Sequence, residues 1–267
     1  MRKPAQPLTG AGRLALGLAG LVTFFGIWAG IAGSGLVPPI FLPNPGTVLL
    51  QLVHLLDHPY AGPTLPAHLA ASFTRYGAGL LLAIVLGLPL GLLMGWFRLL
   101  DDIITPVFDG LRFIAPLAWV PFAALWFGTG IGGPVLIIFT GAFPPVLIGA
   151  YRGGRLIDPH LIEAARMLGT PHHRMLTEIL LPNAVPSIIS GLRVAAGLGW
   201  QSLIGAELIV VSSGIGYMMV QAQAAVSTQT VMAGIISVGL VGTAIDILLR
   251  LGEGAVRRRY GVTGTAK

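Results

Sequence analysis

Arg75, Arg193 and Glu207 are ionisable side chains within or at the ends of long apolar runs of this 267-residue chain. A charge in hydrocarbon is costly, so such residues pair, face a water-filled cavity or meet a ligand. Arg75 and Glu207 fall near the same end of their runs, which allows a salt bridge. If they pair, a charge-swapped double variant should recover part of the damage done by either single neutral substitution. Arg193 stands about two turns into its run, at a depth that Asp109 or Asp246 can reach. Two roles remain open for these charges: pairs that pack helices together, or contacts along the route of an anion. Trp119 and Trp200 are candidates for lining the same route, although tryptophans at helical spacing also serve packing.

Other chemistries find no support. No Gly-x-x-x-x-Gly-Lys-Ser/Thr occurs, so the phosphate-cradling loop of an ATPase is missing. Gly128-Thr129-Gly130-Ile131-Gly132-Gly133 is glycine-rich but lies between two apolar runs without a lysine, which marks a turn. His54 with His58, and the pair His172-His173, lack a second ligand set, so no metal is expected. No Ser-His-Asp or paired-carboxylate set points to a common site, so no catalytic residue is assigned. Without cysteine there is neither thiol nucleophile nor zinc-thiolate site,.

The elements that must position these residues are membrane spans. The chain is 54% hydrophobic and only 10% charged, with a mean hydropathy of +0.83. A soluble domain carries about 25% charged residues, so this chain has too little polar surface to cover a particle in water. About 20 apolar residues cross a bilayer as helix. Runs at 14–33, 76–97, 113–127, 134–151, 186–206 and 231–249 give six such spans. The third and fourth come from one uncharged stretch, Phe113–Tyr151, divided by the glycine-rich turn. Met1-Arg2-Lys3 before the first run also resembles a signal peptide, but about 20 apolar residues exceed the usual core of about 7–15. Between spans, Val48, Leu49, Leu52, Val53, Leu55 and Leu56 predict a short amphipathic helix at the outer surface. Residues 212–230 are too polar to face lipid and suggest an outer re-entrant or surface helix.

Charge fixes the orientation. Segments 1–13, 98–112, 152–185 and 250–267 hold fourteen of the sixteen Lys and Arg residues. The alternate connections, 34–68, 128–133 and 207–230, hold none. By the positive-inside rule both termini and the 152–185 loop are cytoplasmic. The basic residues lie at span edges without interleaved aromatics, so the net charge of +6 reflects orientation in a lipid bilayer rather than a nucleic-acid partner. Three parts follow: a cytoplasmic N-terminus at 1–13, a transmembrane domain at 14–249 with its core at 68–249, and a basic cytoplasmic tail at 250–267.

The 152–185 loop is the most structured polar segment. Asp158 is placed as an N-cap, Pro159 at the first helical position and Gly169 just past the end. Leu161, Ile162, Ala165 and Leu168 recur at helical spacing between them. Thr170 and Pro171 signal a second start, with Met175, Leu176, Ile179 and Leu180 on one face. Two short helices joined near Gly169 are therefore expected at the cytoplasmic side. An ordinary interfacial helix and a helix gripped by a partner protein fit this local chemistry equally.

The sequence Glu163-Ala164-Ala165-Arg166-Met167-Leu168-Gly169, followed by Ile179-Leu180-Leu181-Pro182, resembles the coupling loop of the binding-protein-dependent permeases of type I ABC importers. Leu42-Pro43-Asn44-Pro45, His68–Arg75, Pro116–Pro121 with Leu125–Gly128, and Gly197–Trp200 with Ala206–Ile209 resemble the branch that transports nitrate, sulfonates and taurine. Taurine permeases are the nearest in likeness. Thr170-Pro171 departs from the Gly-Ala that many members show after the motif glycine. The resemblance implies an all-α fold of six transmembrane helices with a cytoplasmic coupling helix, in the cell inner membrane. It implies a homodimer, two cytoplasmic ABC ATPase subunits that bind the ATP, an outer substrate-binding protein, and no cofactor in this chain. Leu161, Glu163, Ala164, Ala165, Leu168, Gly169 and Pro182 would then meet the ATPase. The substrate implied is a small organic sulfonate, taurine first, with nitrate or alkanesulfonates as alternatives. An ion-coupled secondary transporter is the rival class, and it requires inverted-repeat halves and midplane charges that the sequence does not display.

Overall fold

The structure, a computed structural model, describes residues 10–128 and 130–259. The expectations for the extreme N-terminus, Thr129 and the last residues of the tail lie outside the described residues. All regular structure among the described residues is helical. In order these are α1 (Gly10–Gly33), α2 (Pro45–Asp57), α3 (Leu65–Trp96), α4 (Arg98–Leu111), a 3-10 turn (Pro116–Trp119) leading into α5 (Val120–Phe127), α6 (Gly132–Arg155), α7 (Pro159–Met167), α8 (His172–Arg174), a π turn (Met175–Leu180) leading into α9 (Leu181–Glu207), α10 (Ile215–Ala224) and α11 (Thr228–Arg259).

Five of these segments are long and apolar enough to cross a membrane: α1, α3, α6, Met175–Glu207 and α11. The third expected span is not a straight helix. α4 and the segment Pro116–Phe127 form a pair bent by 85°, and Pro116–Phe127 alone reaches only about 18 Å at 1.5 Å per residue. Pro116 supplies no backbone N–H, and Ala115 before it leaves the helical region with ψ 138,, so the chain turns at 112–115. A sixth crossing exists only if the bent pair is counted as one span.

The centre is the layer α3–α6–α9, held by small residues. Gly79, Ala83, Gly87, Gly91 and Gly95 recur every fourth residue on α3 and face α6. A Cβ on Gly91 would sit 2.8 Å from that of Ala150, and one on Gly95 2.6 Å from the Tyr151 carbonyl oxygen. On its other side α6 meets α9 where Gly149 faces Gly191, a Cβ there falling 2.8 Å from the Gly191 Cα. Lipid tails are as apolar as leucine, so close backbone approach rather than burial of oil from water drives this contact. The outward faces of α1, α3 and α11 are rows of exposed Leu, Ile, Val and Phe, as a lipid-facing surface requires.

Packing also sorts the connections into two ends. The α6 terminus carrying Arg152 and Arg155 lies beside the end of α3, with Gly154 against Gly95, and beside the start of α9, with Gly153 against Ala184. At the opposite end, Gly133 meets Val210 and Thr228 at the start of α11 hydrogen-bonds to the Ile40 carbonyl. These groups match the charge-rich and charge-free connections of the sequence, apart from Arg112.

Two further expectations become more specific. α2 is capped by Asn44, whose side chain accepts from the Gly46 N–H at 2.9 Å. Its Val48 and Leu55 are buried, and Gln51 donates to Thr230 at the start of α11, so α2 is packed on the bundle while its Leu49, Leu50, Val53 and Leu56 remain exposed. Of the two alternatives for 212–230, α10 fits the re-entrant one rather than a helix lying on the surface: Ile215, Gly216, Met218 and Ala222 are buried, while Gln223 and Gln229 remain exposed.

Candidate functional site

At the basic end, α7 forms as its signals dictate. The Asp158 carboxylate accepts from the His160 N–H at 2.9 Å. Gly169 adopts φ +70, which glycine reaches without steric cost, and Thr170 N–H closes onto the Ala165 carbonyl at 3.0 Å. The helix is therefore held at both termini. Leu161, Glu163, Ala164, Met167 and Leu168 point outward, with Met167 and Leu168 more than four-fifths exposed. Ala165 is the exception among the expected contact residues: it is 7% exposed and packs toward its own chain. The second short helix is corrected too. α8 continues through the π turn into α9 without a break. Pro182 thus sits in the first turn of the long α9, and the wider turn makes room for a proline ring that clashes with the carbonyl four residues earlier.

At the opposite end, Arg75 and Glu207 form a buried ion pair at 2.9 Å. Glu207 also accepts from Ser72 Oγ at 2.8 and 2.9 Å and from the Gly216 N–H at 3.1 Å. Arg75 donates further to the Ser213 carbonyl at 2.8 Å and to the Ser213 hydroxyl. Ser72 Oγ accepts from Ile215 N–H at 3.1 Å. His68 Nδ1 accepts from Gly214 N–H at 3.1 Å, so its Nε2 carries the proton and donates to the Tyr60 carbonyl at 3.0 Å. Together α3 side chains fasten the start of α10 to the end of α9. Glu207 is surrounded by donors, which changes the expectation for a charge swap: an arginine at 207 would face Ser72 and the Gly216 N–H with no acceptor of its own. His68 and Ser72 entered the sequence analysis only within the His68–Arg75 likeness, and Ser213 only within a polar segment, because nothing in their spacing marks them as partners of Arg75 and Glu207.

Arg193 pairs with Asp246 at 2.8 Å and with Glu253 at 3.2 Å, tying α9 to α11, and Arg250 shares Asp246 at 2.7 Å. Asp109 takes no part, since it pairs with Arg112 at 2.9 Å. Trp200 is a packing residue: it stands edge-on to Tyr76 at 5.5 Å and beside Phe73 at 5.6 Å, and its Nε1 donates to the Val238 carbonyl. Trp119 lies at the bend, 6.0 Å from Phe122, and lines a hydrophobic cavity of about 350 Å³ with Phe108, Phe139 and Arg112. His54 and His58 stack at 3.9 Å, one turn apart on α2.

Arg112 is the residue whose placement the sequence most misjudged. Asp101, at the start of α4, accepts from Thr105, Tyr151 and Arg155 and so marks the basic end. α4 then climbs along α6, with Phe108 beside Phe143, and delivers Arg112 to a cleft of about 320 Å³. Thr140, Pro144, Leu198, Gln201 and Ser202 share that cleft. About 22 Å of α6 separates Thr140 from Arg155 at 1.5 Å per residue, so Arg112 lies deep in the spanning layer.

With this geometry in view, the likeness to known proteins is specific. The family model of binding-protein-dependent transport system inner membrane components matches residues 83–258. The chain is similar to the taurine transport system permease protein TauC of Escherichia coli (strain K12), at 35% identity over 92% of this chain and 89% of that protein. It is similar to the putative aliphatic sulfonates transport permease protein SsuC of Bacillus subtilis (strain 168), at 37% over 85% and 81%. The bicarbonate transport system permease protein CmpB of Synechococcus elongatus is 33% identical over 92% and 89%. Among solved structures, a chain from inward-facing conformations of the MetNI methionine ABC transporter shares the fold, with a TM-score of 0.52 at 19% identity, over 68% of this chain and 92% of that one.

Proposed function

This chain belongs to the binding-protein-dependent transport system inner membrane components, and from that premise we propose that it is the permease of an ATP-driven importer for a small organic sulfonate. Two copies assemble with two cytoplasmic ATPase subunits and an outer binding protein, and both termini face the cytoplasm. The observation that carries the mechanism is α7, capped at both ends yet exposing Leu161, Met167 and Leu168 at the basic end. A held helix transmits displacement, whereas a loose loop absorbs it. Exposed leucines outside the spanning layer fit a protein groove. Closure of the ATPase pair on ATP draws the two α7 helices together, and the unbroken run from α8 through α9 carries that movement into the spanning layer.

Taurine is the substrate this reading favours, supported by the taurine and sulfonate permeases among the relatives. A second reading, bicarbonate or nitrate, draws on the bicarbonate permease at similar identity. Vesicles reconstituted with the ATPase and binding protein should take up taurine faster than nitrate, bicarbonate or long-chain alkanesulfonates. Faster uptake of either inorganic anion moves the substrate to the second reading. Leu168→Asp and Gly169→Leu should insert normally and lose at least about tenfold in ATP-dependent uptake, a barrier change of about 1.4 kcal/mol. Wild-type uptake in both variants would refute α7 as the ATPase contact.

A further inference from the structure

Two polar side chains in the spanning layer have donors that no group among the described residues uses. Arg112 engages Asp109 through Nε, and among the described residues its terminal Nη groups meet no acceptor. Its guanidinium instead lies 4.9 Å from the Phe113 ring centre and 5.8 Å from that of Phe108. Gln201 is exposed on α9 and makes no hydrogen bond among the described residues. Both line the same cleft of about 320 Å³. Thr140 and Ser202 beside them have donated to Ile137 and Leu198 carbonyls, so their oxygens are left as acceptors. Pro145 continues this cleft into a second one, of about 290 Å³, lined by Ser187, Ser190 and Arg152 along the groove between α6 and α9. An arginine and a primary amide with unused donors are not expected against lipid, where each unsatisfied group is costly.

We propose that Arg112 and Gln201 form a transit site for the anionic group of the substrate, at the head of a polar track that descends the α6–α9 groove to Arg152. The planar guanidinium presents two N–H forks suited to a sulfonate or carboxylate, and the Gln201 amide adds a donor from the facing helix. Asp109 holds Arg112 in place and moderates its charge, so the anion is attracted without being trapped, as conduction requires. For a zwitterion it also offers an acceptor to the ammonium end. The site is distinct from Arg75 and Glu207, which engage each other, Ser213, Ser72 and the Gly216 N–H within the fold. The inference rests on the reading of the chain as a permease for a small anion, with the second copy closing the groove from lipid.

The chain has no native cysteine, so Gln201→Cys gives a single thiol in the assembled complex with ATPase and binding protein. The probes are the anionic 2-sulfonatoethyl and the cationic 2-(trimethylammonio)ethyl methanethiosulfonates, with His58→Cys, exposed just past the end of α2, as reference. Normalised to that reference, the anionic reagent should be favoured at 201, and Arg112→Gln should reduce the preference about tenfold, as expected when a unit charge about 6 Å away is removed in a water-filled cleft, where the anionic and cationic reagents respond in opposite directions. Arg112→Lys should preserve most of it, and Asp109→Asn should raise it about threefold, which keeps the test decisive if Arg112→Gln assembles poorly. Equal preference in all four backgrounds overturns the site. So does a thiol at 201 that stays unreactive with and without ATP. Sulfonate uptake measured in the same vesicles separates the two ideas. A retained anionic preference beside uptake of another anion leaves the site standing and corrects the substrate. Normal sulfonate uptake without the preference removes the site and leaves the permease.

Discussion

Arg75 and Arg112 are both arginines within the spanning layer, and their surroundings are opposite. Arg75 is buried against Glu207 and Ser213, and its carboxylate partner is filled by Ser72 and the Gly216 N–H. Arg112 has one half-exposed partner, two aromatic neighbours and an open cleft. A charge whose terminal nitrogens already meet a counter-ion and acceptors inside the fold has less to offer a passing ligand. A charge with open donors beside a cavity has capacity that folding did not use. Intramembrane charge alone therefore does not mark a transport route; the proposed transit site rests on hydrogen-bonding capacity that folding left unspent.

The comparison breaks most visibly at Glu207. Glu207→Ala leaves Arg75 buried without its counter-ion, and losing one member of such a pair costs about 3–5 kcal/mol. A large fall in the thermal midpoint of the detergent-solubilised permease is expected. The double variant Arg75→Glu, Glu207→Arg should be no better, since arginine at 207 meets only donors. Recovery by the swap would show that the serine and backbone donors are secondary to the charges. His68→Leu comes next. It strands the Gly214 N–H and the Tyr60 carbonyl, at about 1–3 kcal/mol for an unsatisfied buried group. Its signature is faster amide exchange at 213–216, and unchanged exchange there would detach His68 from the loop.

Asp246→Asn should lower the midpoint by less than either. Arg193 and Asp246 are about one-third to two-fifths exposed, and Glu253 remains to hold Arg193. A loss matching that of Glu207→Ala would mean that this pair is as sealed as the other. Arg112→Gln should have the smallest effect on stability, with no measurable shift in midpoint, because it removes only a partly exposed i,i+3 ion pair, which contributes little. A marked destabilisation would return Arg112 to the class of Arg75.

These contrasts separate what was legible in the chain from what was not. The spans were visible because about 20 apolar residues per crossing is a local requirement set by bilayer thickness, and α7 because Asp158, Pro159 and Gly169 each act within one turn of the backbone. The pairing of Arg75 with Glu207 could be suspected from their depth. The bend at 112–115 was missed although Pro116 marks it, since the stretch Phe113–Phe127 is apolar enough to pass as a span. The inward packing of Ala165 and the fusion of α8 with α9 had no signal within the helix period.

Sequence alone determined the medium, the sorting of connections by charge, the capped loop and the resemblance to ABC importer permeases, because each depends on residues near one another along the chain. Only tertiary structure decided which charges are spent. Ser72 and Gly216 reach Glu207 from segments far apart in sequence, and Arg112 meets Thr140 and Gln201 only after α4 has climbed α6 and α9 has packed alongside. Hydrogen-bonding capacity is consumed by partners in space, and the chain order of those partners carries no trace of the meeting.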